Sequence, residues 1–161
     1  MQITNDIRMM RIKYFSLNLF ALVLFIADRI LKYYFLKNPA AKFGGDFLFG
    51  LNFHFEKNIG IAFGISMNQI ILLALTIFII LILISVLVKA YQQKDLFSIF
   101  ALSLIIVGAI SNLLDRLHYG FVIDYINVPW FTVFNLADCM ITVGVGILLI
   151  GVLINNRLDK K

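Results

Sequence analysis

Three stretches of this chain, residues 68–88, 96–114 and 139–156, contain no Asp, Glu, Lys or Arg. Crossing the hydrocarbon core of a bilayer takes about 20 mostly apolar residues in an α-helix. Inside lipid every backbone N–H and C=O must be paired within the segment or in a closed barrel. Each stretch is therefore read as a spanning helix. The rest of the chain agrees: 61% of the residues are hydrophobic and 14% charged, with a mean hydropathy of +0.95. A water-facing surface needs far more charge than that.

A further span begins in the uncharged segment 14–27 and continues past Asp28, Arg29 and Lys32 to Leu36. A secretory signal peptide fits the same apolar run, but no small-x-small cleavage site follows it, so it is read as retained. The expected spans are 14–36, 68–88, 96–114 and 134–155 in a single membrane domain covering 1–161. Basic residues flank them at Arg8, Arg11 and Lys13, at Lys89 and Lys94, and at Arg157, Lys160 and Lys161. By the positive-inside tendency both termini face the cytoplasm. The connections 37–67 and 115–133 then lie on the outer face. The net charge of +5 is scattered around apolar runs with no basic stripe, which argues against nucleic acid as a partner.

The first outer connection places Phe47, Phe49, Leu51, Phe53 and Phe55 at period two, with Asn52, His54 and Glu56 on the alternate face and Gly44-Gly45 upstream as a turn signal. This pattern predicts a strand at the membrane interface. The second outer connection holds Phe121-Val122-Ile123-Asp124-Tyr125-Ile126, a run with strand propensity. Unpaired backbone near lipid is costly, so the two strands are expected to pair. The fold class is thus an all-α membrane protein of four helices with a small extracytoplasmic β platform.

Carboxylates are the exceptional residues here, because an acid at membrane depth needs a partner, water or a function. Asp28, Asp115, Asp124 and Asp138 come from different parts of the chain and converge on the outer interface. Asp28 has Lys32 at i+4 and Asp115 has Arg116 beside it, so interface ion pairs are the favoured reading for both. Asp124 and Asp138 have no cation within four residues. Two carboxylates held together cannot both ionise easily, and such a pair can hold one proton while activating a water.

Other side chains carry less. His54 and His118 have no metal-ligand spacing, and no metal or cofactor is expected. Ser66, Ser103 and Ser111 lack a nucleophile motif. Cys139 is the single cysteine, expected to turn away from Asp138 on a helix and to pack. Gly144, Gly146 and Gly151, with Gly108 and Ala109, are read as close-packing positions between helices.

In these residues the sequence resembles the lipoprotein signal peptidase (signal peptidase II) family. The matching segments are Asp28-Arg29-Ile30-Leu31-Lys32, Asn58-Ile59-Gly60-Ile61-Ala62-Phe63-Gly64, Gly108-Ala109-Ile110-Ser111-Asn112-Leu113-Leu114-Asp115-Arg116, Gly120 through Asp124-Tyr125, and Phe134-Asn135-Leu136-Ala137-Asp138. The resemblance implies that Asp124 and Asp138 are catalytic. It also implies that Asn58, Gly60, Asn112, Arg116 and Asn135 line the site, and that Asp28, Lys32 and Asp115 support the bundle. Ser111 and Val107 stand where the family commonly has glycine, and neither is expected to touch the catalytic pair.

The resemblance further implies an aspartyl endopeptidase of the bacterial cytoplasmic (inner) membrane with its site at the outer face. Its substrates would be diacylglyceryl-modified prolipoproteins within membrane lipid, cut on the N-terminal side of the lipidated cysteine. Inhibition by globomycin-type cyclic peptides and a monomeric enzyme are further expectations. A rival reading, a channel or transporter subunit with an acidic relay, would string acids across the membrane depth, whereas here they gather at one level.

Overall fold

The computed structural model describes residues 2–44, 50–60, 68–129 and 131–158. Four helices, α1 (Gln2–Lys37), α2 (Gln69–Gln93), α3 (Leu96–Tyr119) and α4 (Leu136–Leu158), alternate with the strands β1 (Lys42–Gly44), β2 (Asn52–Asn58), β3 (Val122–Asn127) and β4 (Val133–Phe134). All four helices are long and apolar enough to cross a membrane, and the strands form one antiparallel sheet in the order β1-β2-β3-β4. The expected fold class is the one observed. By connectivity α1 and α3 run toward the sheet, whereas α2 and α4 run away from it.

Local chemistry sets the helix ends. Asn68 caps α2 by accepting from the Ile70 and Ile71 N–H groups at 2.9 and 3.4 Å. Lys94 ends α2 in the left-handed region at φ 58, and Asp95 immediately caps α3 through Phe97 and Ser98 N–H at 3.1 and 3.2 Å. This connection makes α2 and α3 antiparallel neighbours. α3 stops at Gly120, whose φ of 77 suits glycine.

Two boundaries differ from expectation. α1 starts at Gln2, ahead of residue 14, because no Gly or Pro interrupts residues 2–37 and basic side chains tolerate a helix that continues into water. Its 36 residues reach roughly 54 Å, well beyond the ~30 Å hydrocarbon layer. Phe134, placed at the head of the fourth span, belongs instead to β4, where it pairs with Ile126.

α3 is the central helix. Of its most apolar window 56% is buried, against 11% to 17% in the other three, and it packs on α1, α2 and α4. Close approach to α4 depends on glycine: a Cβ on Gly108 would lie 2.6 Å from the Ala137 carbonyl oxygen, and one on Gly144 would lie 2.7 Å from that of Ala101. Gly146 and Gly151 have nothing within 4 Å of such a Cβ, so the expectation of close packing fails at those two. Gly108→Ala is accordingly expected to cost about 1–3 kcal/mol by overpacking, whereas Gly146→Ala leaves thermal unfolding in detergent unchanged. Equal melting temperatures for the two variants would refute this account of the α3–α4 seam.

α2 is fastened near both ends. At the sheet end the Gln69 amide donates to the Gly120 carbonyl. At the far end the Asn18 amide of α1 donates to the Tyr91 hydroxyl at 2.6 Å and accepts from Ser103 of α3 at 3.2 Å. Between these clasps lies a groove of about 380 Å³ lined by residues of α1, α2 and α3, among them Leu22, Phe25, Leu87 and Ile106.

In the sheet β2 pairs with β3, as the two-loop argument expects, with a register irregularity between Phe53 and Glu56. Phe47 and Phe49 of the period-two pattern, Gly45 of the turn signal, and Ile61 to Gly64 of the motif after β2 lie outside the described residues. Phe35, near the end of α1, stacks on Tyr125 of β3 with ring centroids 5.3 Å apart and planes 6° apart. That contact seats the sheet on the end of the bundle.

Candidate active site

The entry into α4 is a reciprocal cap. Asn135 accepts from the Asp138 N–H at 3.0 Å, while Asp138 Oδ2 accepts from the Asn135 N–H at 3.2 Å. Such a box satisfies backbone donors that a helix start leaves free. The next donors are met from elsewhere: Leu136 N–H by the Tyr125 hydroxyl at 3.1 Å and Ala137 N–H by Asp28 Oδ1 at 3.2 Å. Asp138 is thereby held through one oxygen, and its Oδ1 receives the Asn112 amide at 2.8 Å.

Asp124 lies on β3 with 1% of its surface exposed. Its oxygens accept from the Asn135 amide at 2.6 Å and the Asn58 amide at 3.0 Å. Asn58 is itself fixed in a turn, accepting from Gly60 N–H at 3.0 Å, and Arg116 donates to the Gly60 carbonyl at 3.1 Å. Burial first, and the charge of Asp138 second, push the Asp124 carboxyl up to about 7, while the amides of Asn58 and Asn135 act in the opposite direction. Among the described residues neither Asp124 nor Asp138 makes an ion pair. Asn135 touches both acids and Asn112 as well, donating to Asn112 Oδ1 at 3.2 Å.

Beneath this pair is a buried ionic cluster. Lys32, fully buried, reaches Asp28 at 3.1 Å, Asp115 at 2.8 Å and Asn112 Oδ1 at 2.7 Å. Arg29 pairs with Asp115 at 2.5 Å. The ion-pair reading of Asp28 and Asp115 holds, with one correction: Asp115 pairs with Lys32 and Arg29, and its sequence neighbour Arg116 points to Gly60. Adjacent residues on a helix project about 100° apart, so the two serve different faces of α3. Two acids and two bases balance within the cluster. Among the described residues no buried side-chain nitrogen or oxygen lacks a hydrogen-bond partner.

A cavity of about 610 Å³ opens beside Asp138, lined by Asn58, Asn112, Arg116 and Cys139 and walled by apolar side chains including Phe131, Phe134 and Ile141. Cys139 therefore faces the site, contrary to the packing role expected for it. Asn135, Gly60 and Asp124 adjoin this wall through the contacts above. Tyr125 joins the site without being among the expected residues. Its hydroxyl donates to Asp28 Oδ1 at 3.0 Å, and burial and then Asp28 keep the phenol protonated far above its ordinary range. A buried tyrosine needs a partner for its hydroxyl, and its place beside Asp124 was the available signal.

Comparison with known proteins agrees with this architecture. The family model for signal peptidase (SPase) II matches residues 20–154. A lipoprotein signal peptidase of Bartonella quintana is 40% identical over 141 residues, covering 83% of this chain and 84% of that protein. One from Buchnera aphidicola subsp. Schizaphis graminum is 43% identical over 105 residues, covering 60% and 67%. A bacterial membrane enzyme solved by the in meso method at 2.3 Å superposes with a TM-score of 0.76 at 29% identity, covering 91% of this chain and 92% of that one. Its motifs, its fold and the extent of these matches agree: the chain belongs to the signal peptidase II family of lipoprotein signal peptidases, bacterial membrane peptidases that remove signal peptides from prolipoproteins.

Proposed function

We propose that the chain is an aspartyl endopeptidase in which Asp124 and Asp138 form the catalytic pair. The supporting observation is that both acids are fastened to one residue, Asn135, at 2.6 Å and 3.2 Å, beside an apolar-walled cavity and with no ion pair of their own among the described residues. The two share a proton at neutral pH and titrate as a unit. Charge balance supports this. The cluster of Asp28, Asp115, Arg29 and Lys32 is neutral, so Arg116 is matched if the pair carries one negative charge. The ionised member activates a water for attack on the scissile carbonyl. The protonated member donates to the carbonyl oxygen, and the proton is later returned to the leaving amine. Asn58, Asn112 and Arg116 line the site, Gly60 and Asn135 back them through the contacts above, and together they orient substrate and acids, while Asp28, Lys32 and Asp115 hold the bundle beneath them.

The substrate in this reading is a diacylglyceryl-modified prolipoprotein, cleaved on the N-terminal side of the lipidated cysteine. The apolar cavity wall suits the lipid and the signal helix, and the sheet lies over the mature segment. The chain 1–161 acts as a single monomeric domain in the cytoplasmic membrane, with the sheet end outward and both termini cytoplasmic. Globomycin-type cyclic peptides compete for the same cavity. The test is a gel-shift cleavage assay in detergent with matched lipidated and unlipidated substrates. Cleavage confined to the lipidated form and blocked by globomycin is the expected result; equal cleavage of both forms overturns the substrate assignment.

A further inference from the structure

Ser111 lies in the α3 segment that carries the family resemblance, at a position where that resemblance implies glycine, and nothing about the reaction demands a hydroxyl there. Yet its side chain is fully buried and is engaged on several sides. The hydroxyl donates to Asp28 Oδ2 at 2.6 Å, and it accepts from Lys32 at 3.5 Å and Arg29 at 3.4 Å. Asp28 Oδ2 is also the oxygen that Lys32 approaches at 3.1 Å. Ser111 and Lys32 therefore share one acceptor atom.

This sharing matters because of what else Lys32 holds. An ammonium has three N–H donors; Lys32 donates to Asn112 Oδ1 at 2.7 Å and to Ser111 Oγ at 3.5 Å while sitting within ion-pair distance of both Asp28 and Asp115. With its oxygen occupied by Lys32 and Asn135, the Asn112 amide is obliged to present its NH2 to Asp138 Oδ1. Remove the Ser111 hydroxyl, and Asp28 Oδ2 loses its shortest donor. In a site of low dielectric that deficit is made up by the nearest cation, which draws Lys32 toward Asp28 and away from Asn112.

We infer that Ser111 is a positioning residue, which keeps Lys32 on Asn112 and through it fixes the orientation of Asp138. Ser111 touches neither acid of the pair, and the inference rests on the aspartyl reading above. Its effect falls on the chemical step, since Asn112 is turned correctly toward Asp138 only while Lys32 stays in place.

The experiment compares wild type with Ser111→Gly, Ser111→Ala and Ser111→Thr, each purified in detergent. The readouts are kcat and KM for a lipidated prolipoprotein, with melting temperature alongside. Asp124→Asn and Asp138→Asn are run in the same assay. Both hydroxyl-free variants are expected to lose about tenfold in kcat with KM little changed, the order of loss that follows from small misplacement of a reacting group. Threonine, which keeps the hydroxyl, retains most of the rate. A purely structural serine would lower the melting temperature and leave kcat per folded enzyme intact. Wild-type kcat in either hydroxyl-free variant overturns the inference, as does a loss in Ser111→Thr equal to that in Ser111→Ala. Should the alanine variant fail to fold, the glycine variant, with the residue that the resemblance implies, carries the comparison. Activity surviving in Asp124→Asn or Asp138→Asn defeats the aspartyl reading itself, whereas inactive dyad variants beside a fully active Ser111→Gly defeat this inference alone.

Discussion

Asp124→Asn abolishes cleavage and at the same time makes the protein harder to unfold at alkaline pH. The loss of activity is expected to reach about four orders of magnitude, as for members of a catalytic unit that function only together, and Asp138→Asn should match it. The stability gain follows from burial. The Asp124 carboxyl is held up at about 7 in the fold, against about 3.9 in an unfolded chain. Between these values the unfolded state has released the proton while the folded state keeps it. The acid therefore destabilises the fold increasingly as pH rises from 4 to 7, and by a constant amount above that. Asparagine never ionises, so its advantage in melting temperature should be absent near pH 4 and complete at pH 8. A variant that is inactive but equally stable at both pH values would remove the burial argument and leave the catalytic one standing. Wild-type cleavage in either Asn variant would remove the dyad.

The second large effect lies below the site. Lys32→Met leaves Asp28 and Asp115 buried, with Arg29 as the one remaining cation of the cluster. Deleting one member of a buried ionic group costs about 3–5 kcal/mol, because the charge left behind is unpaired. Little folded protein should survive extraction, and its melting temperature should fall steeply. Adding Asp28→Asn to Lys32→Met removes one of the stranded charges and should restore part of the loss. An unaltered melting temperature in Lys32→Met would show that the cluster is not a structural element, and failure of the double variant to recover would assign the damage to packing.

The comparison of sequence with structure divides along physical lines. Uncharged runs betray spans because lipid tolerates little else, and α2 and α3 start within a residue of where the runs begin. The i+4 pair of Asp28 and Lys32 is legible for the same reason that helix periodicity is. Pairing between β2 and β3, from two different connections, also follows from a general cost, that of unpaired backbone. Which way a helix face turns is not legible in the same way. Asp115 and Arg116 are neighbours in the chain, yet they serve the ionic cluster and the Gly60 turn respectively. Cys139 lines the same cavity as Asp138, because the cavity is wide enough to border two successive positions of α4. Ser111 gives no sign in the sequence of the contacts that surround it, since those come from α1, 79 to 83 residues away.

The fastenings of α2 bear on the lipid around the enzyme. A spanning helix normally answers a thicker or thinner bilayer by changing its tilt. Here Gln69 secures one end to the turn after α3 and Tyr91 secures the other to α1, so a change in its tilt relative to those helices breaks a polar contact. A mismatch is then met by the bundle leaning as one body or by lipids that stretch or thin around it.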